Sequence, residues 1–128
     1  MSPCRVLVVE DDDAIRELLV ELLSDHGHEA AAAINGLDAL NTAMRMVQAA
    51  TPPQVILLDL MMPVMDGPSF RRQQLRIPEL ARIPVVVISA YRDFVDHANA
   101  MQAAAHFKKP IDDWGLLHVV EQVSAAGH

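Results

Sequence analysis

The sequence predicts a single α/β domain: a doubly wound parallel sheet of five strands, ordered 2-1-3-4-5, in a three-layer sandwich with helices on both faces. Three observations carry that expectation. Val55–Leu58 and Val85–Ile88 are continuous apolar runs of strand length, which suits strands buried on both faces. Strand-like runs alternate five times with segments of helical apolar spacing. The 128 residues are enough for one sizeable core and too few for two ordinary domains. Right-handed crossovers leave few topologies, and 2-1-3-4-5 is the usual one for five strands.

Arg5–Val9 is the first strand and runs into Glu10-Asp11-Asp12-Asp13. Asp12 or Asp13 can cap a helix whose Ile15, Leu18, Leu19, Leu22 and Leu23 follow the i, i+3, i+4, i+7, i+8 stripe, and Gly27 closes it. His28–Ala33 is a weak, alanine-rich second strand. Asn35-Gly36 starts a second helix, with Leu37, Leu40, Met44 and Val47 on one side, and Thr51-Pro52-Pro53 breaks it. The third strand ends abruptly in Asp59, followed by a mostly apolar loop and the turn signal Asp66-Gly67. Pro68 suits a first helical position and opens a third helix to about Arg76. Its stripe is poor. Arg71 and Gln74 stand where a core-facing helix wants leucine, so this helix is expected to lie shallowly on the sheet. Pro84 precedes the fourth strand, which ends in Ser89-Ala90. A fourth helix over about 93–102 carries Phe94, Val95, Ala98 and Met101. Ala104–Lys108 is a short fifth strand before Lys109-Pro110, and Asp112 or Asp113 caps a last helix bearing Leu116, Leu117, Val120 and Val123.

Composition narrows the function classes. Hydrophobic residues make up 52% of the chain, yet no apolar run approaches the roughly 18 residues a membrane span needs. RVLVV runs straight into acids, which is no signal peptide. The single Cys4 precludes an internal disulfide and suits a reducing, cytoplasmic compartment. A net charge of −7, from 10 basic against 17 acidic residues, argues against direct nucleic-acid binding. The histidines (26, 28, 97, 106, 118 and 128) read as surface residues and not zinc ligands, since only His26 and His28 are closely spaced and no cysteine accompanies them. Arg71, Arg72, Arg76, Arg82 and Arg92 concentrate half the basic residues in one segment, a solvated face or a meeting point for an acidic partner.

Open parallel sheets place their chemistry at the carboxyl ends of the strands, beside the switch point between strands 1 and 3. The residues at those ends are Glu10 and Asp11, Asp59, Ser89 and Lys109. For each alone a structural role competes; a strand-end Asp, for example, can simply receive backbone N–H bonds. Together they say more. Three acids on one edge repel each other and disfavour full ionisation. A hard divalent cation with oxygen ligands resolves this, and Mg²⁺ fits, with Mn²⁺ the alternative. Lys109 adds a fixed positive charge and Ser89 a hydroxyl donor. Two cations, a hydroxyl and one carboxylate nucleophile are what transfer of a phosphoryl group onto Asp59 requires.

The pieces VLVVEDD, VILLDLMMPVMDG, PVVVISA and FKKP, in that order and spacing, resemble a response-regulator receiver domain of two-component signalling, of the CheY-like superfamily and flavodoxin-like fold. The resemblance runs from Arg5 to about Val123 and implies one receiver domain over 1–128 with no output domain. It implies a phosphoacceptor at Asp59 and a metal held by Glu10 (through water), Asp11, Asp59 and the backbone carbonyl of Met61. Ser89 and Lys109 would contact the phosphoryl group, and the Lys109-Pro110 bond would be cis. The donor would be a phosphohistidine on a sensor histidine kinase or a histidine phosphotransfer protein, docking near the first helix and the loop after strand 5. Output would go to a protein target, with no nucleic acid or membrane contacted. The chain would be a signalling switch and not an enzyme with an external substrate.

Departures from that pattern qualify it. Three residues before the lysine the family carries a switch aromatic, and here His106 stands there, with Phe107 on the opposite strand face. Coupling from Ser89 to that position is expected to be weaker. Met61 and Tyr91 flank the phosphoryl position by resemblance and are bulky, so slow self-dephosphorylation is expected. A phosphatase of haloacid-dehalogenase type also uses a strand-end Asp and Mg²⁺, but it needs a second acid two residues on, where this chain has Met61. A flavodoxin-like FMN carrier wants a phosphate cradle after strand 1, where Glu10–Asp13 would repel it.

Overall fold

The computed structural model describes residues 3–90 and 94–126. In chain order the elements are β1 (Arg5–Val9), α1 (Asp13–Asp25), β2 (Glu29–Ala33), α2 (Gly36–Gln48), β3 (Val55–Asp59), α3 (Gly67–Arg76), α4 (Pro78–Ala81), β4 (Val85–Ser89), α5 (Phe94–Ala100), β5 (Ala105–Lys108) and α6 (Asp113–Ala126). The strands make one sheet in the order β2-β1-β3-β4-β5, and every neighbouring pair is parallel.

Alternation along the strands divides the core in two. Leu7, Val9, Ile56, Leu58, Val85 and Val87 face one way and pack with Ala39 and Ala43 of α2, Phe70 of α3 and Ala98 of α5. Val6, Val8, Leu57, Val86 and Ile88 face the other way and meet Leu19 and Leu23 of α1 and Leu116 and Val120 of α6. β3 and β4 are buried along their whole length, as their unbroken apolar runs require.

The starts of α1, α2 and α3 follow short polar side chains that satisfy otherwise unpaired backbone donors. Asp12 accepts from the Ile15 N–H at 3.0 Å, Asn35 from Asp38 at 2.9 Å, and Asp66 from Ser69 at 2.8 Å. Gly27, at φ +84°, terminates the turn after α1, and its N–H reaches the Ser24 carbonyl at 3.0 Å.

Four expectations change. Leu18 and Leu37 lie on the predicted stripes but are 66% and 47% exposed, because a helix laid on a sheet buries only the centre of a wide stripe. α4 is an additional single turn, started by Pro78 at a position where its missing N–H costs nothing. α3 does not lie shallowly: Arg71 and Gln74 are both buried. Arg71 Nε donates to the Met101 carbonyl at 2.9 Å and its Nη1 to Gln74 Oε1 at 2.8 Å. Gln74 Nε2 in turn serves the carbonyls of Leu80 and Ile83, each at 2.9 Å. Polar residues occupy core positions there because each one pairs backbone groups that would otherwise be orphaned.

His28 is the fourth correction, since it is buried and not on the surface. Its Nδ1 accepts the Cys4 N–H at 3.0 Å, which leaves Nε2 to donate to Glu121 Oε1 at 3.1 Å. Cys4 Sγ lies 2.8 Å from Ser124 Oγ, so the start of β1, the start of β2 and α6 are joined at the edge of the sheet remote from Asp59. No helix among the described residues is long and apolar enough to cross a membrane.

Candidate functional site

Strand register brings distant residues to one edge. β1 pairs Val9 with Leu58, so one further step sets Glu10 beside Asp59. β3 pairs Asp59 with Ile88, and β4 pairs Ser89 with Lys108, which leaves Ser89 and Lys109 just beyond the same edge. The Lys109 N–H donates to the Ser89 carbonyl at 2.9 Å, and the Lys109-Pro110 bond is cis, as expected.

Glu10 is fully buried, Asp59 is nearly so, and Asp11 is exposed. Carboxylate oxygens of all three lie within 4.8 Å of one another. Lys109 Nζ pairs closely with Glu10 Oε1 and stands 3.5 Å from Asp59 Oδ2. Asp59, Met61, Ser89, Ala90 and Lys109 line a cleft of about 270 Å³. Sequence-picked residues from four separate strand ends therefore meet in one place.

Electrostatics follow from that crowding. Burial, then the hydrogen bond and charge of Glu10, push the Asp59 carboxyl up to about 7, against the opposing charge of Lys109. Burial alone would lower the Lys109 ammonium, but its bond to Glu10 and the charges of Asp59 and Glu10 outweigh this and raise it. Three carboxylates face one ammonium. The excess of two negative charges, in oxygen donors alone, fits a hard divalent cation.

Two contributors escaped the sequence reading. Arg16, on the first turn of α1, donates from Nη1 to the carbonyls of Glu10 at 3.0 Å and Asp11 at 3.4 Å, fixing the loop that carries both acids. Its only signal was a lone cation just after an acidic run. Asp66-Gly67 is a turn signal in the sequence, but the glycine serves close approach in the fold. A Cβ there would sit 2.5 Å from the Asp59 carbonyl oxygen and 2.9 Å from Leu60 Cα. The Gly67 N–H also donates to the Leu60 carbonyl at 2.9 Å, so α3 begins directly against the end of β3.

Of the remaining candidates, Met61 is 57% exposed in the cleft and His106 is exposed on β5, while Tyr91 falls outside the described residues. Phe107 packs on the α1–α6 side, across the sheet from the face His106 presents.

The family model for the response regulator receiver domain matches residues 6–121. The chain belongs to the response regulator receiver family. Among curated relatives of this receiver, sporulation initiation phosphotransferase F of Bacillus subtilis is 31% identical over 84% of this chain and 83% of its own length. Protein PilH of Pseudomonas aeruginosa is 29% identical over 94% and 98% respectively. Among solved structures, chemotaxis protein CheY4 of Vibrio cholerae is 26% identical and superimposes with a TM-score of 0.83 over 95% of the receiver and 99% of its own chain. The receiver is thus a phosphoacceptor in two-component signalling and not an enzyme with an external substrate, and its acidic pocket has the character of a metal site.

Proposed function

We propose that the receiver accepts a phosphoryl group on Asp59 from a phosphohistidine donor, with Mg²⁺ (or Mn²⁺) in the acidic pocket. One observation carries this: Asp59 is buried at the end of β3 with two acids and one ammonium converging on it. Asp11, Asp59 and the Met61 carbonyl would hold the cation, with Glu10 acting through water. When bound, the cation neutralises charge on the phosphoryl oxygens. A carboxylate oxygen of Asp59 attacks phosphorus, the donor's P–N bond breaks, and its imidazole leaves with a proton. Lys109 stays paired with the added charge, and the Ser89 hydroxyl donates to a phosphoryl oxygen.

Donor docking belongs on the α1 side. Ile15, Leu18, Leu19, Leu22, Pro110 and Ile111 line an apolar pocket of about 590 Å³ that reaches Lys109. Leu18 and Trp114 are large apolar side chains left 66% and 73% exposed nearby in the fold, on α1 and α6. A sensor histidine kinase or phosphotransfer protein suits that surface, and such a partner places the receiver in the cytoplasm. A protein target then reads the phosphorylated form, with no output domain needed within 1–128.

Incubation with a small phosphodonor and Mg²⁺, followed by peptide mapping of the added mass, tests the reading. Label is expected on Asp59, with uptake lost in Asp59→Asn and on chelation of the metal. Undiminished labelling of Asp59→Asn would overturn it.

A further inference from the structure

The arginine cluster of α3 takes no part in the chemistry above. From Gly67 to Arg76 the helix holds three arginines and no acid, in a chain of net charge −7. Arg71 is used internally. Arg72 and Arg76 differ: both are exposed, and neither forms an ion pair among the described residues. Among the described residues Arg72 reaches only Ser69 Oγ of its own helix, at 3.0 Å.

These cations flank Leu75, which is 47% exposed. α5 stands opposite, and the two helices enclose a groove of about 320 Å³ lined by Pro68, Arg72, Leu75, His97, Ala100 and Met101. Arg76, one turn beyond Arg72, continues the same side of α3. Among the described residues the lining thus combines apolar surface with positive charge outside any ion pair and includes no carboxylate.

We propose that the α3–α5 groove docks an acidic peptide segment of a partner protein, seating an apolar side chain between Leu75 and Met101 and carboxylates against Arg72 and Arg76. A groove of this volume takes side chains, whereas an anionic bilayer favours a broad basic face, which a chain of net charge −7 does not offer. A second copy could offer its acidic α1, but α1 against α3 is a head-to-tail contact that does not close into a dimer.

The probe is a fluorescein-labelled peptide with a central leucine pair flanked by glutamates, titrated into the full chain by anisotropy. Saturable binding is expected. It should weaken about tenfold or more in the double variant Arg72→Glu, Arg76→Glu. It should weaken also in Leu75→Ser, persist in Arg72→Lys with Arg76→Lys, and vanish for a glutamine version of the peptide. Unchanged melting temperature and unchanged labelling by a small phosphodonor show that these surface variants remain folded. Equal binding by the charge-reversed variant, or by the glutamine peptide, overturns the proposal. Absence of peptide binding overturns it too, whether or not the arginines prove to support sedimentation with phosphatidylglycerol vesicles or self-association in the ultracentrifuge.

Discussion

Asp59 holds a proton far more tightly than a surface aspartate does, and that proton competes with any cation for the same oxygens. Its folded pKa of about 7 stands above the ordinary 3.8, so the protonated form favours the fold. That contribution is fully present below pH 3.8 and is lost as pH rises through about 7. Metal-free protein is therefore expected to lose stability across this window, and Asp59→Asn to melt above the parent at pH values beyond 7. Melting curves with and without Mg²⁺ check it, because the metal should raise the parent's midpoint chiefly above pH 7. Met61 is a second prediction at this scale. Its side chain lines the cleft through which water would approach an Asp59 acyl phosphate. Met61→Asn is expected to speed loss of the phosphoryl group several-fold, measured as decay of labelled protein after the donor is removed.

At the scale of the element, α3 shows why a poor apolar stripe need not mean a poorly seated helix. Gln74 is fully buried and serves two backbone carbonyls while accepting from Arg71. Replacing it by leucine keeps the volume and removes every one of those bonds. Gln74→Leu is expected to cost roughly 2–3 kcal/mol in urea unfolding, from buried groups left unpaired. The periodicity of the sequence was blind to this because it scores side chains as apolar or polar and knows nothing of the carbonyls they will meet. His28 was missed for the same reason: its partners Cys4 and Glu121 are 24 and 93 residues away.

For the whole molecule, the sheet separates two tasks between its edges. The carboxyl edge gathers three acids around one ammonium, while the other edge is closed by the His28–Glu121, His28–Cys4 and Cys4–Ser124 contacts that pin α6 to the starts of β1 and β2. Between them α1 and α6 leave the apolar pocket beside Lys109. If a phosphohistidine protein docks there as proposed, transfer from it would need that surface and transfer from a small phosphodonor would not. Leu18→Ala and Trp114→Ala are expected to slow the former about tenfold or more, as loss of exposed apolar anchors does at protein interfaces, and to leave the latter unchanged. Rapid-quench measurements with both donors separate docking from chemistry.

What the sequence determined alone was everything governed by local pattern. The apolar runs of β3 and β4, the capping residues Asp12 and Asn35 and the alternation of elements were enough for the fold class and strand order. Acids, serine and lysine at strand ends marked the site, since a parallel sheet directs all its carboxyl ends to one edge. Only the tertiary structure decided how these groups share charge and which neighbours hold them. The pairing of Lys109 with Glu10, the grip of Arg16 on the acidic loop and the contact of Gly67 with the Asp59 carbonyl all depend on distances between residues far apart in the chain. Burial, charge coupling and hydrogen-bond satisfaction are properties of those distances, and no local pattern encodes them.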